Sequence, residues 1–184
     1  VSVQDYEDYA RAYTGIAKAQ ATVLNTRAGR TVFITVAGDD GGQPPAATLA
    51  KLLNALKQNG DPLVHCETAA YTEVTFHLAL RIKRDLDSDG KKVLADVEAA
   101  LRAAFSFDAR DFGAIVARSE IIAVAQEVAG VLGVDLDRFY RGTTIALEAR
   151  LSPAAATIDA QGNGVAAELL RFDTGPFDYL EEMS

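Results

Sequence analysis

The stretch EVTFHLALRIKRDLDSDGKKVLADVEAAL, Glu73–Leu101, decides the fold. Val74, Phe76, Leu78, Leu80 and Ile82 alternate with Thr75, His77, Ala79, Arg81 and Lys83. A period of two places the first set on one face of a strand and the second on the other. Leu94, Val97, Leu101 and Phe105 then recur at helical spacing. Strand, polar loop, helix is thus the unit of organisation.

The same order appears upstream. Val32, Ile34 and Val36 alternate within an expected strand, Arg30–Ala37. The loop Gly38–Pro45 follows, and Leu49, Leu52, Leu53 and Leu56 stripe a helix closed by Asn59-Gly60-Asp61-Pro62. A short strand is expected over Leu63–Thr68. A second plan also occurs twice. DYARAYTGIAKAQATV (Asp8–Val23) and AVAQEVAGVLGVDLDR (Ala123–Arg138) both read helix, Gly, strand. Ser2 and Asp5 form an N-terminal capping box, Ser119 is the expected cap of the fourth helix, and Gly113 marks a bend. The predicted fold class is α+β: two small open-faced α/β sandwich (ferredoxin-like) units with antiparallel or mixed sheets, plus an extended C-terminal tail. The expected boundaries are 1–70, 71–141 and 142–184.

Composition narrows the function. Apolar residues make up 49% of the 184 residues and charged residues 24%, the profile of a globular chain. Acidic groups outnumber basic ones 26 to 18, for a net charge of -8. That excess disfavours nucleic acid or an anionic membrane as partner. No apolar run approaches a membrane span, and no basic-then-apolar leader is expected. Cys66 is the single cysteine, which excludes an intrachain disulfide framework and points to a reducing compartment. The chain opens on Val1 rather than methionine, so a longer parent polypeptide is expected.

Five patterns bear on chemistry. Asp111-Phe112-Gly113 matches the magnesium-binding tripeptide of protein kinases, but the glycine-rich loop, strand lysine and catalytic loop that give it meaning are absent. Asp85-Leu86-Asp87-Ser88-Asp89-Gly90 fits the first half of an EF-hand loop, with Asp96 at the twelfth position. Against calcium stand the short arm of Asp96, Lys92 at the eighth position and a strand leading in. The competing reading is that these carboxylates cap the following helix. His65 and Cys66 are adjacent in an extended segment, so they point to opposite faces and share no ligand. The Gly38–Gly42 loop lacks a phosphate-binding pattern, and Asp39 and Asp40 would repel phosphate. The tyrosines of the first helix, Tyr6, Tyr9 and Tyr13, read as core and interface contacts, because no basic groove accompanies them. No catalytic residue, cofactor or metal site is expected, and no small-molecule substrate.

Five segments together resemble one family: VQDYEDYARAYTGIAKAQA (Val3–Ala21), RTVFITVAGDDGGQPP (Arg30–Pro45), EVTFHLALRI (Glu73–Ile82), VEAALRAAFS (Val97–Ser106) and DFGAIVARSEIIAVAQEVAGVLGVDLDRF (Asp111–Phe139). In this order they are similar to the baseplate J-like family, wedge subunits of contractile phage tails and related injection particles. AAELLRFDTG (Ala166–Gly175) resembles the family's C-terminal end. Thr14-Gly15 and Ala129-Gly130 stand where the family often has Pro-Gly. The resemblance implies the C-terminal portion of a non-enzymatic wedge protein. It also implies partners that are further copies and neighbouring baseplate or hub proteins, and a particle assembled in the bacterial cytoplasm. Two other readings stay open: a calcium-dependent binding module on Asp85–Asp89, and a small ferredoxin-like regulatory or enzymatic domain.

Overall fold

The computed structural model describes residues 2–39 and 41–183; Val1, Ser184 and Asp40, expected at the tip of the glycine-rich loop, lie outside them. The chain forms two compact units, each built from two separate stretches. The first unites the residues up to Thr72 with Ala154–Glu168, and the second unites Glu73–Pro153 with residues 169 onward.

The first unit begins with helix α1 (Val3–Arg11). The expected capping box is present: Ser2 Oγ accepts from the Asp5 N–H and the Asp5 carboxylate accepts from the Ser2 N–H. The Ser2 backbone N–H and hydroxyl together hold the Asp5 carboxyl below its ordinary pKa. Strands β1 (Ile16–Thr26) and β2 (Gly29–Gly38) form an antiparallel hairpin around Arg27-Ala28. Helix α2 (Ala46–Asn59) then carries the chain to β3 (His65–Ala70), which runs parallel to β2. Val32, Ile34 and Val36 pack against Tyr6 and Ala10 of α1 and against Leu52 and Leu56 of α2.

The second unit is arranged around β4 (Thr72–Arg84). Helix α3 (Gly90–Ala104), the short β5 (Val116–Ala117), helix α4 (Arg118–Gln126) and β6 (Val131–Arg141) follow. β6 lies antiparallel to β4. Beyond it, β7 (Arg150–Leu151) pairs with β5; β8 (Thr157–Ile158) pairs with β9 (Gly164–Val165) in the returning part of the first unit. β10 (Glu168–Phe172) and β11 (Tyr179–Glu182) both pair with β4, and β11 runs parallel to it. Phe76, Leu78, Leu80 and Ile82 point into one core with Val97, Leu101 and Phe105, as the alternation predicts. Phe76 sits at its centre, edge-on to Phe105 and Phe139 and tilted against Phe172.

The repeated plan of the sequence has a structural counterpart. In each unit a central strand has an antiparallel neighbour, entered from a helix through a glycine, and a parallel one; in the second unit β10 also pairs with the central strand. The two linking glycines, Gly15 and Gly130, share a φ of 87°. That left-handed conformation is costly for any residue with a Cβ. The parallel neighbour differs in origin: β3 follows the crossover helix in the first unit, whereas β11 arrives from the far C-terminal end in the second.

Four expectations are corrected. Neither unit has the four-stranded antiparallel sheet of a ferredoxin-like fold, since both central strands have mixed neighbours. The sheet of the first unit is not open-faced: every residue of β2 from Thr31 to Gly38 is buried. Its second face lies under Ala154–Glu168, where the Ala167 N–H donates to Thr35 Oγ and Gly164 abuts the Phe33 ring. The stretch expected as a separate tail, 142–184, is accordingly shared between the units, because its short strands find partners in both. Finally, Ser119 does not cap α4. Ala117 holds that position without a side-chain bond, and the Arg118 N–H donates to the Ala149 carbonyl as the β5–β7 pairing runs into the helix.

Candidate assembly surfaces

The Asp85–Asp89 loop encloses a guanidinium. Arg84 Nη1 donates to the carbonyls of Ser88 at 2.8 Å, Asp85 at 3.1 Å and Leu86 at 3.3 Å, and its Nε donates to Glu182 of β11 at 2.9 Å. The carboxylates turn to other tasks. Asp85 accepts from the Asp87 N–H, Asp89 caps α3 by accepting from Lys91 and Lys92 N–H, and Asp96 pairs with Lys92 at 2.6 Å. Among the described residues, no group of three or more His, Cys, Asp or Glu converges as a metal cage. Beside the loop, Leu86, Leu132 and Met183 line a shallow concavity with Lys83 and Glu182. Leu86 is 86% and Leu132 58% exposed.

The other singled-out residues are dispersed. His65 is exposed beside Glu67 at 3.2 Å, while Cys66 is buried, and burial pushes its thiol pKa up. Gly113, with φ 72°, makes the expected bend, closed by the Ala114 N–H on the Asp111 carbonyl. Phe112 is buried and Arg110 reaches the Ile115 carbonyl and Glu120, so the Asp111-Phe112-Gly113 run is a packed turn. Tyr6 is buried and accepts the Asp61 N–H at its hydroxyl, whereas Tyr9 is partly exposed beside Tyr13 and Asn59.

The polar face of the second sheet is the most organised surface. Arg81 grips Asp137 with two bonds, at 2.8 and 2.7 Å, and reaches Asp135 at 2.7 Å. A bulge makes this possible. Ala79 pairs with Arg138 but Leu80 pairs with Leu136, leaving Asp137 as the extra residue. The bulge brings two carboxylates of β6 onto one guanidinium. Arg138 pairs with Asp178 at 3.2 Å and stacks over Tyr179; Tyr140 donates to Asp178 at 2.9 Å and lies against His77. Arg81 holds the Asp137 carboxyl below its ordinary pKa, and Asp137 in turn raises that of Arg81. Burial, then Asp178, raises the Tyr140 pKa; burial, then Asp137, raises that of Tyr179. Sequence reading placed Thr75, His77, Ala79, Arg81 and Lys83 on this face, but none of their partners from β6 or the C-terminal stretch. The signal for Asp135 and Asp137 was their alternation in the β6 segment, obscured by the bulge, and Asp178 and Tyr179 lie in a stretch with little pattern.

A rigid face that presents arginine and tyrosine on paired strands is suited to docking a protein surface. The class defined so far is a two-unit α+β protein. Comparison with known proteins finds two likenesses. Residues 1–69 match the profile described as "Baseplate J-like central domain". Among solved structures, a chain of the "Cryo-EM structure of the anti-feeding prophage (AFP) baseplate, 6-fold symmetrised" is similar at TM-score 0.63 and 11% identity, over 92% of this chain and 37% of that one. The protein therefore spans little more than a third of that chain's length. No curated protein sequence matches. Residues 1–69 are thus similar to a baseplate J-like central domain, in line with the sequence resemblance.

Proposed function

We propose that this chain is a structural wedge component of the baseplate of a contractile phage tail or a related injection particle. The observation that carries the reading is the fold likeness over 92% of the chain, which extends beyond the family match at residues 1–69. Its work is geometric. Copies of the chain and neighbouring baseplate or hub proteins dock on preformed faces, and the particle assembles in the bacterial cytoplasm before use. The polar face of the second sheet supplies one such contact. Arg81 and Tyr179 are already held by Asp137, and Arg138 by Asp178, so little side-chain freedom is lost on binding.

The test is co-expression of the full-length protein with its neighbouring baseplate proteins, followed by affinity purification. A stable complex is expected, and the Arg81→Ala, Tyr179→Ala double variant should bind at least about tenfold more weakly, the loss of a central contact. A chain that binds none of those proteins contradicts the function. A double variant that binds as well as the parent removes only this face.

A further inference from the structure

β1 is an edge strand, paired only with β2 among the described residues. It is eleven residues long, IAKAQATVLNT, with Thr22 and Val23 as strand formers near its middle. An unprotected edge of this length is a template for pairing with another chain.

Two side chains of α1 occupy that edge at its middle. Glu7 Oε2 accepts the Ala21 N–H at 3.0 Å, and Arg11 Nη2 lies 3.5 Å from the Ala19 carbonyl. Glu7 and Arg11 also pair with each other at 2.5 Å. They are four residues apart on one helix face, the spacing at which such pairs meet. The Glu7 side chain is only 18% exposed, tucked between helix and strand, whereas Arg11 is 52% exposed. The backbone groups they engage, on Ala19 and Ala21, are two residues apart. In an antiparallel ladder that is the spacing of the groups a strand offers to one neighbour.

We infer that Glu7 and Arg11 form a guard on β1, blocking the backbone groups through which a second copy of this chain would pair edge to edge. The second copy is the relevant intruder because it carries the same edge, and antiparallel pairing of two identical edges is isologous and self-complementary. The guard directs association away from the sheet edge and towards side-chain surfaces.

The experiment uses the full chain and its Glu7→Ala, Glu7→Gln and Arg11→Ala variants. Amide hydrogen exchange is read at Ala21, and sedimentation velocity is run over a range of concentrations. Differences are taken from the unsubstituted protein, so any association it shows by itself is subtracted. At low concentration, Ala21 exchange should be at least about tenfold faster in Glu7→Ala, as expected when a protecting bond of about 1.4 kcal/mol is lost. At high concentration a new, concentration-dependent species should form. Glu7→Gln keeps an acceptor oxygen and should behave as the parent. Arg11→Ala, which leaves the Glu7 bond in place, should show the new species in smaller amount. Faster exchange in Glu7→Ala without a new species overturns the guard and leaves a simple helix–strand tie. Association of Glu7→Gln equal to that of Glu7→Ala also overturns it.

Discussion

Asp137 shows how much one inserted residue can organise. As the bulge residue of β6 it turns towards Arg81, which then serves two carboxylates at once. Arg81 lowers the folded-state pKa of Asp137. A carboxyl so lowered adds stability that is complete above its unfolded pKa of about 3.9 and is lost as pH falls towards the folded value. Asp137→Asn should therefore flatten the fall in denaturant-derived stability as pH drops below about 4, and cost about 1 kcal/mol at neutral pH. Equal pH slopes for parent and variant would count against the pair. Residue-scale features were unevenly legible. The capping box of Ser2 and Asp5 and the glycines at positions 15 and 130 follow from local chemistry that short-range pattern reveals. The Arg81–Asp137 pair depends on a register shift between strands more than fifty residues apart, which no local pattern encodes.

Among elements, the long ones were readable and the short ones were not. β4 alternates over enough residues for its buried face to be evident, and the stripe of α3 identifies its packing side. The strands of 154–168 have two residues each, too few for any period. Yet they close the second face of the first sheet. A Cβ on Gly164 would lie 2.2 Å from the Phe33 ring, far inside contact distance. Gly164→Ala should destabilise the protein by about 1–3 kcal/mol, the usual cost of overpacking. In a Phe33→Leu background the same change should cost less, since the smaller side chain leaves room for the methyl. Thermal or chemical denaturation of the four proteins decides; strictly additive effects would show that the hairpin does not rest on Phe33. The Asp85–Asp89 loop gives the opposite lesson. Its acidic spacing was legible, but its occupant, Arg84, was not, because any arginine at the end of a strand looks alike in sequence.

At the scale of the whole molecule, the chain passes from the first unit to the second, returns at Ala154 and leaves again after Glu168. The region matching the baseplate J-like central domain is thus completed by residues far outside it. Both faces of β2 are buried only once that return segment is in place. This interleaving explains why the C-terminal stretch reads as a tail in sequence and belongs to both units in the structure. The most direct measurement is cryo-electron microscopy of the intact particle that contains the full-length protein. The account predicts baseplate density that fits both units of this fold, repeated around the tail hub. A complete baseplate with no density for this fold, in particles from which the protein is absent, would contradict it.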